Sequence, residues 1–388
     1  MWDGRPARPF WTGGTPIPQN CGSYLILIPN LEALLKASGE PAPTGLLQIN
    51  CARGEIEWLK MNSDVSLPEV SVVVPVYNGE MDLPESIECL RSQTYPLDSV
   101  EYLLVDNNSG DRTSTIIQAA ASNPPSVPPW VSRGSNFHRI TIRPLTENQI
   151  QSSYAARNLG IRASKGEIIA FTDADCRPES DWLENLVKPF VDKEVGISAG
   201  EILALPGKTI LEQHAERSNT LSQKHTLAHP FCPYGQTANL AVRKQVLETV
   251  GLFRPYLTSG GDADLCWRIL RETSYKMYFA ENAIVRHRHR STIKQLQSQW
   301  YRYGESNKYL HELHGVDLMR EFTTGEYFYR LARWLLKEFP VAAAKSALAR
   351  ADLVDLFNTP IGLVNVRARS MGQRQAKLPE SAWQIERF

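Results

Sequence analysis

The sequence has no excess of either charge, no closely spaced cysteines and no long hydrophobic run. Its 388 residues include 42 basic and 42 acidic side chains, so the formal net charge is zero. A sequence-independent grip on nucleic acid depends on positive charge, so the composition argues against that function, although a local basic face remains open. The cysteines are too far apart for a zinc ribbon or a small disulfide framework, which indicates reduced thiols in the cytoplasm. They are Cys21, Cys51, Cys89, Cys176, Cys232 and Cys266.

Features of membrane insertion and secretion are also missing. No stretch reaches the roughly 18 uninterrupted apolar residues of a membrane-spanning helix. The N-terminus, which begins Met1-Trp2-Asp3-Gly4-Arg5-Pro6, lacks a basic segment followed by the apolar core of a leader peptide. We therefore expect a cytoplasmic protein that is soluble or peripheral at the inner face of the membrane.

Strand and helix patterns alternate from residue 70 onward. The β-branched run Val70–Val76 is typical of a buried parallel strand, and the next segment, Leu83–Gln93, has helical spacing. This alternation predicts an α/β fold with a Rossmann-like, mostly parallel sheet and helices on both faces. Further strands are predicted at Tyr102–Val105, Ile140–Ile142, Glu167–Phe171, Asn239–Val242 and Ala283–Val285, and further helices at Ser114–Ala121, Gln151–Ala163, Ile210–Lys224 and Lys244–Val250.

Segments of different character flank this region, which we place at residues 70–290. Residues 1–69 read as a small N-terminal α+β appendage with a possible helix at Leu31–Lys36. Residues 291–388 read as a helical C-terminal extension with helices at Ile293–Leu313 and Glu326–Leu348. The second of these helices combines aromatic and basic residues, so it either packs on its own domain or lies on a membrane surface.

An acidic pair, Asp173 and Asp175, follows the apolar strand that ends at Phe171. Carboxylates one residue apart suit a hard divalent cation that keeps phosphate oxygens on its open side. An acidic turn is the alternative, since aspartate is common there. Asp106 also ends a predicted strand, and ligands of parallel sheets bind beyond such strand ends.

Four segments together carry a resemblance. They run Val74-Pro75-Val76-Tyr77-Asn78, Leu103-Leu104-Val105-Asp106-Asn107-Asn108-Ser109-Gly110-Asp111, Ala156-Arg157-Asn158-Leu159-Gly160 to Thr172-Asp173-Ala174-Asp175, and Ser259-Gly260-Gly261-Asp262-Ala263-Asp264-Leu265-Cys266-Trp267-Arg268. In order and spacing they resemble the family 2 glycosyltransferases of the GT-A fold, over roughly residues 70 to 315. The resemblance implies inverting, metal-dependent transfer of a sugar from a nucleotide-diphosphate donor, with a UDP-sugar favoured, to an acceptor hydroxyl by direct displacement. Mg²⁺ or Mn²⁺ is the implied cofactor, and bacterial cell-envelope or polysaccharide synthesis is the implied setting.

On the donor side, the resemblance assigns a role to each strand end. Asp106 can accept a hydrogen bond from a uracil-type N–H, or it can cap the helix that follows, as Asp111 also can. Arg157 lies near the donor diphosphate in the family, and an exposed helical arginine is the alternative. Asp173 is expected at the ribose and Asp175 on the metal. The remaining donor-binding candidates are Pro75, Tyr77, Asn78 and Asn107.

On the acceptor side, Asp262 is the candidate catalytic base, because an acceptor hydroxyl needs a carboxylate to remove its proton. An N-cap role is its alternative. The family usually has Glu-Asp here, whereas this chain has Gly261 before the aspartate, so acceptor positioning departs from the family pattern; the glycines can admit backbone or a bulkier acceptor. Asn239 either binds substrate or satisfies loop backbone.

The last predicted strand leads into a basic segment, Arg286-His287-Arg288-His289-Arg290. Some relatives close the metal or diphosphate site with a histidine at this point, which makes His287 a candidate metal ligand ahead of His289. A surface histidine in a basic loop is the alternative. The neighbouring arginines can meet diphosphate or anionic lipid.

Other functions fit the sequence less well. A haloacid-type hydrolase also has Asp-x-Asp after a strand, but Cys176 and Arg177 follow here in place of its usual continuation. A dinucleotide-dependent oxidoreductase needs a Gly-x-Gly-x-x-Gly after the first strand, and a sugar-phosphate nucleotidyltransferase needs a glycine-rich basic loop; both are missing. A binding or scaffold protein derived from a transferase remains the non-enzymatic alternative.

Overall fold

The structure is a computed structural model that describes residues 24–25, 45–50, 55–60, 67–122, 140–347 and 353–388. The chain divides into two compact units, residues 1–67 and 68–388. In the first unit, an antiparallel three-stranded sheet has the order β1 (Tyr24–Leu25), β2 (Gly45–Asn50), β3 (Glu55–Lys60). The helix expected at Leu31–Lys36 lies outside the described residues.

An eight-stranded sheet forms the centre of the second unit. Its strands in chain order are β4 (Val70–Val76), β5 (Val100–Asp106), β6 (Thr141–Thr146), β7 (Ile168–Thr172), β8 (Cys176–Pro178), β9 (Val195–Ala204), β10 (Asn239–Arg243) and β11 (Lys276–His287). Their spatial order is β6-β5-β4-β7-β10-β9-β11-β8. The first four are mutually parallel, and so are β9 and β11, but β10 and β8 run antiparallel to their neighbours. The sheet is therefore mixed, with its parallel half where the alternating pattern is most regular.

Helices cover both faces of this sheet, as the alternation predicts. They are α1 (Leu83–Arg91), α2 (Thr113–Ser122), α3 (Ser153–Ala163), α4 (Trp182–Val187), α5 (Ile210–Arg217), α6 (Gln223–Leu227), α7 (Lys244–Val250), α8 (Gly261–Glu272), α9 (Ile293–His314), α10 (Thr324–Arg333), α11 (Phe339–Ala347) and α12 (Leu353–Gln375). Successive residues of a strand point to opposite faces. Thus Val72 and Val74 of β4 join α1 and α4 in one hydrophobic core, whereas Val73 joins α3, α7 and α8 in the other.

Several predicted elements differ from the observed ones. The segment expected to form one helix at Ile210–Lys224 is two helices, because Asn219 between them adopts a left-handed conformation with φ of 46°. The helix expected at Glu326–Leu348 is interrupted by a π turn at Trp334–Glu338, just before Pro340, which has no N–H for a regular helical bond. Helix α12 has no counterpart among the predicted elements; it contains Pro360, which weakens a helical pattern in sequence.

The helices after residue 290 belong to the same compact unit as the sheet. Helices α9 and α12 cross at very close range, since a Cβ on Gly304 would lie 2.0 Å from the carbonyl oxygen of Arg369. The boundaries proposed at residues 69 and 290 stay predictions. Among the described residues, no helix has both the length and the apolar character needed to cross a membrane.

Candidate active site

The carboxyl ends of β4, β5 and β7 meet at one edge of the sheet, where they border a cleft of about 640 Å³. Parallel strands bring their ends to the same edge, so residues far apart in sequence become neighbours there. Predicted site residues that line the cleft are Pro75, Tyr77, Asn78, Asn107, Arg157, Asp173, Asp175 and His287. Asp106, Asn239, Gly261 and Asp262 lie outside its lining.

The acidic pair and His287 form a cluster at the floor of this cleft. Possible ligand atoms of Asp173, Asp175, Cys176 and His287 all lie within 4.8 Å of one another. Nε2 of His287 is 3.3 Å from Oδ1 of Asp175. Nδ1 of His287 is 2.8 Å from the carbonyl oxygen of Arg288, which can only accept, so Nδ1 carries a proton and directs Nε2 toward the carboxylates.

The chemistry of these donors fits a divalent cation held by the two carboxylates and the imidazole. Carboxylate oxygens suit Mg²⁺ and Mn²⁺, and imidazole nitrogen is a common ligand of first-row metals. Cys176 is fully buried, and burial, followed by the charges of Asp175 and Asp173, raises the pKa of its thiol well above the usual 9.0. Because the thiolate is the ligand form, Cys176 fits such a site poorly.

Arginines surround the acidic cluster. Nη2 of Arg157 is 2.6 Å from Oδ1 of Asp173, and Arg157 is only 3% exposed, so the alternative of an exposed helical arginine is wrong. Nη1 of Arg290 is 3.7 Å from Oδ2 of Asp175, and Arg302 of α9 also lines the cleft. The sequence suggested Arg290 only as part of a basic run, and Arg302 carried no signal.

The loops after β4 and β5 are tied to each other. Asn78, with φ of 49°, accepts a hydrogen bond from the Gly110 N–H at 2.9 Å. Oδ1 of Asp106 accepts from the Ser109 N–H at 3.1 Å and thus shapes the β5 loop, while Asp111 accepts from the Thr113 N–H at the start of α2. The cap is therefore Asp111, and the cap alternative for Asp106 is wrong.

The buried side-chain amide of Asn107 donates hydrogen bonds to backbone carbonyl groups. Its Nδ2 donates to the carbonyl oxygens of Glu147 and Ile150 at 3.1 and 3.0 Å. These bonds fix the loop before α3, from which Arg157 projects. Tyr77 is the opposite case, since it is 56% exposed at the rim of the cleft.

Asp262 sits in the first turn of α8, where Thr237 holds its carboxylate. The Thr237 hydroxyl donates to Oδ1 at 3.1 Å and the Thr237 N–H donates to Oδ2 at 3.3 Å. Gly260 occupies the N-cap position of α8, so the N-cap alternative for Asp262 is wrong. Burial raises the pKa of Asp262 above its ordinary 3.8, against the lowering effect of the Arg157 charge and the Thr237 hydrogen bonds.

The two remaining acceptor-side candidates, Asn239 and Gly261, are both buried. Asn239 is fully buried; its Oδ1 accepts from Trp182 Nε1 at 2.7 Å, and its Nδ2 donates to the carbonyl oxygens of Glu201 and Ala283 at 2.8 and 2.7 Å. All its side-chain polar groups thus serve the protein, which favours the backbone-satisfying alternative over substrate binding. Gly261 is also buried, and the space beside it is filled by Tyr154.

His289, two residues after His287, is only 7% exposed. Burial, followed by the charges of His287 and Arg290, lowers its pKa to about 4. It is therefore a neutral, enclosed side chain at ordinary pH, unlike the surface histidine considered from sequence.

The comparisons with known proteins agree with this architecture. Residues 71–251 match the family model described as Glycosyl transferase family 2. The chain is 33% identical over 276 residues to Glycosyltransferase AglE of Haloferax volcanii. The aligned region covers 71% of this chain and 82% of AglE. It is 31% identical over 243 residues to the Pre-mycofactocin glycosyltransferase of Mycobacterium tuberculosis, covering 61% of this chain and 46% of that protein, so it spans less than half of the mycobacterial chain.

A solved structure is similar in fold. Mannosyltransferase PcManGT from Pyrobaculum calidifontis, determined in complex with GDP-Man and Mn²⁺, superimposes with a TM-score of 0.52 at 18% identity. The match covers 80% of this chain and 88% of that chain. It confirms the GT-A type of α/β fold expected from the sequence.

Proposed function

This chain belongs to glycosyl transferase family 2 and is a glycosyltransferase, and from that premise we propose that it is a metal-dependent, inverting enzyme. In this proposal it moves a sugar from a nucleotide-diphosphate donor, with a UDP-sugar favoured, to an acceptor hydroxyl by direct displacement. The observation that carries the proposal is the cleft, where Asp173, Asp175 and His287 gather beside Arg157 at the carboxyl ends of the parallel strands.

The donor half of the cleft offers partners for each part of a nucleotide diphosphate. Asp175 and His287, with Asp173 beside them, would hold a divalent cation, and a cation bound there would supply positive charge for the leaving diphosphate oxygens. Arg157, Arg290 and Arg302 add cationic groups, and guanidinium suits phosphate because it donates in a fixed fork. Arg157 is held in place by Asp173, so its guanidinium is oriented before the donor arrives.

The preference for uracil as the nucleobase of the donor rests on Asp106 and its loop. Asp106 uses Oδ1 for the Ser109 N–H, which leaves Oδ2 as an acceptor for a uracil-type N–H. GDP-mannose is the second donor to test, because the similar mannosyltransferase PcManGT was solved with it.

The acceptor half is assigned to Asp262. Its raised pKa makes the carboxylate a better proton acceptor than an ordinary aspartate. Thr237 fixes both carboxylate oxygens by donating to them, and this orients the base toward an acceptor hydroxyl. The acceptor hydroxyl in this proposal belongs to a saccharide, a lipid-linked molecule or a small molecule.

Calorimetric titration with UDP and GDP, each with and without Mn²⁺, tests the donor half. We expect a nucleotide diphosphate to bind and Mn²⁺ to tighten the complex; if neither nucleotide binds under any condition, the proposed nucleotide-diphosphate donor is wrong. Asp262→Asn tests the acceptor half. This variant should bind nucleotide normally and lose sugar transfer, and turnover at the wild-type rate would exclude Asp262 as the base.

The helical region supports a second, separate part of the proposal, a peripheral contact with the inner face of the membrane. Helix α10 and the π turn contain no buried residue, and Phe328 and Leu336 are 68% and 78% exposed. Across α10 and the π turn, three basic residues (Arg330, Arg333 and Lys337) outnumber two acidic ones (Glu326 and Glu338), so the net charge is positive and complements anionic headgroups.

Flotation with vesicles tests this contact. The protein should float with vesicles that contain phosphatidylglycerol and not with phosphatidylcholine alone, and Leu336→Glu should reduce flotation severalfold. Val191 is 79% exposed on a different part of the molecule, so Val191→Glu is the matched control and should have no effect. Equal flotation of both variants, or concentration-dependent dimerisation in place of flotation, would contradict a membrane contact.

A further inference from the structure

Tyr154, which the sequence did not single out, lies between the donor-binding arginine and the proposed base. It is the second residue of α3, is only 6% exposed, and packs its ring against Phe253 with 5.4 Å between ring centroids. The guanidinium carbon of Arg157, one helical turn later, is 5.7 Å from the same ring. At this distance the aromatic face attracts the cation.

The hydroxyl group of Tyr154 reaches the start of α8. The Gly261 N–H donates to the phenol oxygen at 3.0 Å. The first N–H groups of a helix have no partner within the helix, so an external acceptor stabilises that turn. Burial, followed by the charge of Asp262, raises the pKa of Tyr154 well above 10.0. The phenol is therefore neutral near neutral pH.

The position of the Tyr154 ring explains why glycine stands immediately before Asp262. A Cβ on Gly261 would lie 2.7 to 2.9 Å from three atoms of the Tyr154 ring, so any side chain there requires the ring or the helix to move. Gly260 has φ of 83°, a conformation that also favours glycine. The Gly-Gly sequence therefore accommodates an aromatic ring, which contradicts the expectation that it admits a bulkier acceptor beside Gly261.

We propose that Tyr154 is a positioning residue that fixes the base Asp262 and the donor-binding Arg157 relative to each other. Its hydroxyl holds the first turn of α8, from which Asp262 projects, and its ring supports the guanidinium of Arg157. The inference rests on the proposed function, because it takes Asp262 as the base. Since the ring also occupies the place that a side chain at residue 261 would take, the effects of substitutions at Tyr154 and Gly261 should depend on each other.

Tyr154→Phe is the first test, because it removes only the hydroxyl and keeps the ring against Arg157. We expect kcat to fall on the order of tenfold, the loss that one hydrogen bond accounts for, with KM for the donor and the affinity for nucleotide diphosphate within about twofold of wild type. The control is Tyr102→Phe, since Tyr102 is a fully buried tyrosine whose hydroxyl has no partner among the described residues. That control should leave kcat unchanged. An unchanged kcat in Tyr154→Phe, or a loss confined to KM, would overturn the proposal.

Gly261→Ala is the second test. The added methyl group should displace the Tyr154 ring or the first turn of α8. Displacing Asp262 with that turn should lower kcat on the order of a hundredfold. In the double variant with Tyr154→Ala, the methyl group no longer meets a ring, so the combined loss should be clearly smaller than the product of the two single losses. Losses that multiply would show that the two residues act independently and would overturn the proposal.

Hydrogen exchange separates this inference from the proposed function, because it needs no substrate. The Gly261 amide should exchange faster in Tyr154→Phe than in wild type or Tyr102→Phe. If exchange is unchanged, the contact does not hold the turn and the inference is wrong whatever the enzyme does. If exchange responds as expected but Asp262→Asn retains full turnover, the base assignment fails and Tyr154 positions the helix only.

Discussion

Asp264, two residues after the proposed base on α8, is the buried charge whose removal is most informative. It is fully buried, and its carboxylate lies 3.0 Å from Nε of Arg254, 3.1 Å from Nε of Arg268 and 2.9 Å from Nε2 of His314. Burial alone would raise the pKa of this carboxyl, but the hydrogen bond from His314 and the charges of Arg268 and Arg254 outweigh it and lower the pKa from 3.8 to about 2.

This shift fixes how stability should depend on pH. A tenfold change in proton affinity corresponds to about 1.4 kcal/mol, so the difference between 3.8 and about 2 is linked to about 2.5 kcal/mol of unfolding free energy. The folded-state pKa of Asp264 is the lower one, so this stabilisation is fully present above about pH 5 and is lost as the pH falls through about 2. Asp264→Asn removes the charge and leaves Arg254 and Arg268 buried without a counterion, which costs about 3–5 kcal/mol near neutral pH.

Urea unfolding of wild type and Asp264→Asn, followed by circular dichroism from pH 7 down to pH 2, measures both quantities. The difference in unfolding free energy between the two proteins should be about 3–5 kcal/mol at pH 7 and should narrow by about 2 kcal/mol at pH 2, where Asp264 is about half protonated in the folded protein. Glu194→Gln is the control, since Glu194 and Lys276 form an ion pair in which both side chains are 65% exposed, and its loss should cost less than about 1 kcal/mol. A gap below about 1 kcal/mol at pH 7, or one that does not narrow on acidification, would refute the reasoning.

The remaining predictions concern helix packing, metal binding and the pH profile. Gly304→Ala should destabilise the protein by about 1–3 kcal/mol because its Cβ would lie 2.0 Å from the Arg369 carbonyl oxygen, whereas Gly362→Ala, which meets nothing within 4 Å, should be neutral or stabilising in thermal unfolding. Asp175→Asn should weaken Mn²⁺ binding in the presence of nucleotide diphosphate by at least about tenfold, measured by calorimetry; unaltered affinity would place the cation elsewhere. Because burial raises the pKa of Asp262, the acidic limb of the kcat profile should lie above pH 3.8, with activity lost as the pH falls through the raised value; a limb at or below 3.8, or none, would contradict the base assignment.

Local patterns predicted several strands and helices well, both in the parallel half of the sheet and beyond it. Val70–Val76 is buried at every position, and the strand and helix expected at Asn239–Val242 and Lys244–Val250 were found within one residue. Such segments are recognisable because the apolar pattern along each strand or helix already shows which face it buries. Strand β11 was underestimated as Ala283–Val285, because its outer residues alternate between exposed and partly buried positions.

Patterns that depend on contacts between distant elements were misread. The sequence left Asn239 open between binding substrate and satisfying loop backbone, and the structure surrounds it with β9, β11 and Trp182. The helix expected at Ile210–Lys224 breaks at Asn219, whose left-handed backbone is compatible with asparagine but not required by it. Helix α12 is stabilised by packing on α9 and thus overcomes the internal Pro360.

The sequence by itself determined the α/β alternation, the acidic pair at the end of β7 and the family to which the four segments point, because these are properties of short stretches of chain. Only the tertiary structure brought His287 to Asp175 and placed the Tyr154 ring against Gly261, 107 residues further along the chain. A residue that fills space beside a distant backbone leaves no spacing signal in one sequence. The acidic pair therefore located the proposed site, and the contact of α3 with the first turn of α8 is the basis for our proposal that Tyr154 positions its two halves.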